Sequence, residues 1–393
     1  MDNINSTKRI IYAIVGSIIL IGVLYYFFFW NSSAPVPSSP SSTSQTSGKV
    51  SVPSTGNQGI GETNPNSNPA LNTIENPTGK LVQITNFSVL APSLNKDENK
   101  IIYYKKDGGD MYSSDLDGKN QQKISNITIL NLFDAIWSPL RDRSAVFYLE
   151  QENIKSFLHI GTTSVAIMPM GIAGFDWSPD GKSLAYLLKT NTGSSLNIAD
   201  SSGKNSKLVF STPIKDAQIK WFTGDKIIFT TAPSGLADGF IYSYSRSTGT
   251  FKKIFGPLPG LTSRWSPDGS LVAIGSVNPD TGEASVNIKD ASGKDIYSIG
   301  LKTLPEKCFW PDNKFIFCAV PLDAPRGNWL DNYLSGEVNT RDQIVMLDPI
   351  GKAIYAVYAD AQFDISRIAM TKDKNNLFFI NRLEGTLWGL NLR

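Results

Sequence analysis

A five-residue turn motif recurs along this chain at a near-constant interval, and few folds accommodate such a beat. Trp177-Ser178-Pro179-Asp180-Gly181 returns as Trp265-Ser266-Pro267-Asp268-Gly269, each followed by an apolar run, Leu184 to Leu188 and Leu271 to Ile274. Weaker copies begin at Trp137, Trp221, Phe309 and Met370 and lead into Ala145 to Leu149, Lys226 to Thr230, Phe315 to Val320 and Leu377 to Ile380. Trp137, Trp177, Trp221, Trp265 and Trp310 are spaced 40, 44, 44 and 45 residues apart. A second marker keeps the same beat at Asp115 to Lys119, Asp200 to Lys204, Asp290 to Lys294 and Asp348 to Lys352, each carrying Asp-x-x-Gly-Lys.

Both markers have turn chemistry. Proline suits the second position of a type I turn and glycine the fourth, while the leading Asp of Asp-x-x-Gly accepts hydrogen bonds from its own turn backbone. One unit therefore reads strand, Ser-Pro-Asp-Gly turn, strand, looser loop, strand, Asp-x-x-Gly turn, strand. Four antiparallel strands in about 44 residues make one propeller blade. On these motifs the chain resembles the TolB-like family of propellers, from about residue 80 to the end. The resemblance implies a β-propeller fold and a role in cell-envelope complexes.

Six first-marker positions plus the unit from Leu81 to Ser125 give seven blades, so the expected fold is an all-β, seven-bladed propeller over 80–393. The last unit lacks a fourth strand, because the chain reaches Arg393 soon after Thr386 to Leu392. Lys80 to Thr85 alternates correctly to fill that place, which would remove two open sheet edges. The repeated Trp137, Trp177, Trp221 and Trp265 hold one phase in successive blades, a pattern of blade-to-blade packing rather than a ligand platform.

Ahead of the repeats, Ile10 to Trp30 is a run of 21 uncharged residues ending in an aromatic cluster. At about 30 Å as a helix it matches a bilayer core. Lys8 and Arg9 precede it and no basic residue follows before Lys49, which places residues 1–9 in the cytoplasm and the propeller outside, periplasmic or at the cell surface. The run is too long, and the following Ser32-Ser33-Ala34-Pro35 too poor a cleavage context, for a signal peptide. Residues 31–79 are rich in Ser, Pro, Asn, Thr and Gly and read as a disordered tether spanning on the order of 40 Å. Lys and Arg total 37 against 35 Asp and Glu, without the basic stripe that nucleic-acid binding requires.

No catalytic, cofactor or metal site is expected. The chain has no Gly-x-Ser-x-Gly elbow, and its single histidine, His159, sits in a strand-like stretch, against a Ser-His-Asp hydrolase. Asp107, Asp110, Asp115 and Asp117 lack the spacing and terminal glutamate of a calcium loop and read as turn residues. Asp176 and Glu306 represent a carboxylate pair of the kind that cleaves glycans in a central channel, but no spacing singles them out. Cys308 and Cys318 flank a hairpin centred on Asn313, which favours a cross-strand disulfide over two buried thiols.

The informative irregularity lies in the sixth unit, where turn glycines Gly293 and Gly351 are 58 residues apart instead of 42 to 46. The excess falls in Leu322 to Thr340 and carries Arg326, Trp329, Asp331, Tyr333 and Glu337. Aromatic residues with Arg and carboxylates suit a protein interface; the alternative is a loop folded back over a blade edge. The expected function is a membrane-anchored scaffold that binds an envelope protein, with a glycan-binding or glycan-cleaving propeller as the alternative.

Overall fold

A computed structural model describes residues 80–393, so the expected membrane span and tether lie outside the described residues. The described chain forms seven sheets of four strands each. In each blade the antiparallel order runs outward from an inner strand, and the inner strands are Val89–Leu94, Leu132–Trp137, Ile172–Trp177, Ala217–Trp221, Thr262–Trp265, Cys308–Phe309 and Ile365–Met370. Because neighbours alternate in direction, both turn types fall on one end of the ring, the turn face. The loops between second and third strands, and the links between blades, fall on the other end, the loop face.

The seventh blade is completed from the opposite end of the chain. Leu81–Gln83 pairs with Thr386–Asn391, with Leu81 opposite Leu390 and Gln83 opposite Trp388. Ile84 N–H donates to Leu387 O at 2.8 Å, and Leu387 N–H to Thr85 Oγ1 at 2.9 Å. This register also means that the described chain both begins and ends at the turn face.

The turn motif works as a fastening between blades. In Ser178-Pro179-Asp180-Gly181 the Gly181 N–H donates to Ser178 O at 2.8 Å, and Gly181 sits at φ +68°. A Cβ there would also approach Leu140 of the preceding blade's turn to 2.7 Å, so glycine answers both backbone and packing. Degenerate copies keep the geometry without the glycine: Glu98, Arg141 and Lys374 take the same place at φ 56°, 58° and 60°. Their side chains tie neighbouring turns instead. Glu98 of blade one pairs with Arg141 of blade two at 2.9 Å and accepts from Lys372 N–H of blade seven at 2.8 Å.

The tryptophans act between blades, as their common phase implies. Trp137, Trp177 and Trp310 each donate an indole N–H to an inner-strand carbonyl of the preceding blade, on Ala91, Ile136 and Arg264, at 2.7, 2.9 and 3.0 Å. Buried clusters then run from blade to blade, as where Phe222 of blade four packs with Trp265 and Ile274 of blade five. His159 is a buried part of the same cement. Its Nδ1 lies 2.8 Å from Tyr104 Oη of blade one, and burial lowers its affinity for a proton.

Closure makes the domain one cooperative unit. Removing residues 385–393 from the full chain opens two sheet edges; the full chain should unfold in urea in a single transition by near-ultraviolet circular dichroism, and the shortened chain should show no such transition.

Candidate functional site

The loop face differs from the turn face in two respects: a channel mouth that mixes charge with aromatic rings, and a concentration of exposed apolar side chains. Fourteen large apolar residues are exposed among the described residues, and ten of them lie at the loop face: Leu130, Phe133, Leu149, Ile154, Ile167, Met170, Leu236, Leu322, Leu334 and Leu383. The first six belong to blade two and its links. Leu130, Ile167 and Met170 are 68%, 77% and 71% exposed, well beyond the leakage expected of strand ends. A cluster of this kind marks an interaction surface. It was not legible in the sequence because Leu149 and Ile154 follow ordinary strand alternation, and only their pairing with each other at the loop end brings them together.

The apolar patch continues into the axial channel, a cavity of ≈1190 Å³ whose lining includes Phe133, Phe147 and Ile154. Five cationic side chains, Lys106, Lys220, Arg264, Arg367 and Arg382, line the same cavity with three carboxylates, Asp134, Asp176 and Glu306. Asp134 of blade two holds Arg367 of blade seven at 2.9 Å. Asp176 pairs with Lys220 at 3.0 Å and accepts Trp221 N–H at 2.8 Å. Asp176 and Glu306 thus do line one channel, but Asp176 is occupied as a structural acceptor. Burial pushes the Glu306 carboxyl up, opposed in part by Arg264.

The insertion in blade six forms the rim of the mouth. It contains helix α1 (Trp329–Ser335), capped at its C-terminus by Gly336 at φ 87°. Trp329 is fully buried and Tyr333 nearly so, packed with Leu330 against Val277, Ala284 and Leu304 of blade five and its link. This corrects the expectation that Trp329 and Tyr333 present their rings to a partner; apolar burial against the ring claims both. Asp331 is also turned inward, accepting Gly235 N–H of blade four at 3.0 and 3.1 Å. Arg326 and Glu337 remain exposed, and Leu334 is the residue of the helix that faces the channel with a largely free side chain.

Beneath the helix lies a fully buried charge cluster. Lys307 Nζ contacts Asp342 and Asp364, each at 2.8 Å, with all three side chains excluded from solvent. Arg382 of blade seven adds a contact to Asp364 at 3.5 Å, donates to Tyr333 O and to Val338 O, and stacks 4.0 Å from the Tyr333 ring centre. Burial works against the Lys307 charge, yet Tyr333 and the two carboxylates outweigh it and hold its pKa above the ordinary value. Burial pushes Asp342 up, with Lys307 opposing. Cys308 and Cys318 stand opposite each other and are joined, S–S 2.08 Å. Asp107, Asp110, Asp115 and Asp117 lie in and around turns: Asp115 accepts from Lys100 at 3.0 Å, and Asp110 pairs with Lys123 at 2.7 Å. Among the described residues no group of three or more His, Cys, Asp or Glu side chains is placed to hold a metal ion, and no helix is long and apolar enough to cross a membrane.

No family model and no curated protein sequence matches the chain. Among solved structures it is similar to TolB from Acinetobacter baumannii, at 19% identity and TM-score 0.45 over 72% of this chain and 65% of that one. A putative TolB from Agrobacterium tumefaciens aligns at 18% identity and TM-score 0.41, over 55% of this chain and 85% of that one. Oligogalacturonate lyase from Vibrio parahaemolyticus aligns at 13% identity and TM-score 0.56, over 82% of this chain and 96% of that one. The domain is a seven-bladed β-propeller. At these identities the likeness is one of fold, and the chain spans about 65% of the length of the Acinetobacter TolB.

Replacing Lys307 with Met leaves buried Asp342 without a cation and Asp364 with only the 3.5 Å contact to Arg382, and should cost about 3–5 kcal/mol in chemical denaturation. Adding Asp342→Asn should return part of that loss, because the carboxylate left without a cation is then neutral, while Asp364 keeps Arg382.

Proposed function

We propose that this propeller is a protein-binding scaffold of the cell envelope, docking its partner on the loop face. The observation that carries the reading is the cluster of Leu130, Phe133, Leu149, Ile154, Ile167 and Met170, exposed together on blade two and continuous with the channel mouth. Exposed apolar area of this kind is costly in water and is retained where a partner covers it. A second reading, a glycan-binding or glycan-cleaving propeller, draws on Asp176 and Glu306 lining one channel and on the lyase whose fold is similar.

The triple substitution Leu149→Ser, Ile154→Ser, Met170→Ser in the full chain tests the scaffold reading. In-cell crosslinking should lose its major protein adduct by about tenfold, the equivalent of 1.4 kcal/mol, while the melting temperature stays near the wild-type value. An unchanged adduct sinks the docking face. Retention of the chain on cell-wall fragments, lost on Asp176→Asn or Glu306→Gln, would favour the glycan reading.

A further inference from the structure

Blade six departs from the other blades in the channel wall as well as at the rim. Its inner strand is only Cys308–Phe309, preceded by a 3-10 turn over Pro305–Lys307, whereas five of the others run five or six residues. The strand wall is therefore broken at this blade, and Glu306 and Phe309 line the cavity there. Arg264, on the inner strand of blade five, and Arg367, on that of blade seven, stand on either side of the break. Tyr333, Leu334 and Arg382 line the cavity from the rim above.

Three of the five cations that line the cavity have carboxylate partners, Arg382 through Asp364 at 3.5 Å. Asp134 and Asp176 are engaged by Arg367 and Lys220. Arg264 makes its protein hydrogen bond through Nε to Pro305 O at 3.4 Å, and no ion pair joins it to a carboxylate among the described residues. Glu306, which lines the same break, has an Oε2 that is buried and without a hydrogen-bond donor. A guanidinium stays charged even where enclosure by the walls works against it, and its planar fork matches a carboxylate with two parallel hydrogen bonds.

We propose that the break in the channel wall at blade six is a binding site for a small organic carboxylate, its acid group held by Arg264 with Arg367 alongside and its body against Phe309 and Leu334. The helix at the rim, fastened to blades four, five and seven, restricts the site to a small ligand rather than a folded partner. The site goes beyond the scaffold reading and does not depend on it. The charge of Arg264, which no carboxylate pairs among the described residues, draws an anion in.

Titration calorimetry on the full chain tests this with benzoate as probe, benzamide as its uncharged isostere and sulfate as an inorganic anion. Benzoate should bind saturably, benzamide at least about tenfold more weakly, and Arg264→Gln should weaken benzoate by about tenfold or more. Arg264→Lys, which keeps the charge and loses the fork, should fall between them and serves if the glutamine variant does not fold. The proposal fails if benzoate does not bind, if benzamide binds equally, if both Arg264 variants leave the affinity unchanged, or if sulfate displaces benzoate at equal concentration.

Discussion

The pairing of Leu81–Gln83 with Thr386–Asn391 is the contact on which the rest of the ring depends. Every other blade is made from a continuous stretch of chain and needs only local hairpins. The seventh needs its two ends to meet across the whole domain, and until they do two sheet edges stay open. Entropy opposes that meeting, and the blade-to-blade fastenings favour it. Indole N–H groups reach back one blade, turn glycines pack into the preceding turn, and Glu98 joins the first blade to both its neighbours. Each contact is modest; arranged in a closed circle, they position one another.

Blade six gives up part of this regularity. A two-residue inner strand supplies little ladder, and two substitutes fix it in place: the Cys308–Cys318 bond to the second strand and the Lys307 cluster that joins its approach to Asp342 and Asp364. A buried lysine between two buried carboxylates is weak as a source of stability but strict in geometry. Here it sets where the link before blade six, the strand after the insertion and the link to blade seven must sit. Tyr333 lies over the same lysine at 4.8 Å, so the insertion helix takes its position from the cluster too. The irregular wall and the rim helix are thus parts of one structural departure.

What the sequence disclosed was whatever rests on local chemistry. Ser-Pro-Asp-Gly and Asp-x-x-Gly are turns wherever they occur, and apolar runs between them gave strand positions within a residue or two, as with Leu184 to Leu188 inside Ser183–Thr190. The closing strand was legible from a missing partner. Features set by packing at a distance were not. Trp329 and Tyr333 look like interface residues in a Gly- and Pro-rich insertion, yet Val277, Ala284 and Leu304, each more than twenty residues away, bury them. Arg264, Arg367 and Lys307 carry no motif, since channel and link residues are drawn from separate blades and share only their position in the ring.

The central functional claim is that the loop face, not the turn face, meets a partner. A photoactivatable amino acid placed at Ile154 on the loop face and, separately, at Ile350 on the turn face of the full chain compares the two surfaces in the cell; both positions are exposed, at 46% and 67%. The account predicts a discrete protein adduct from Ile154 and none from Ile350. An adduct from Ile350 with a silent Ile154 would contradict it.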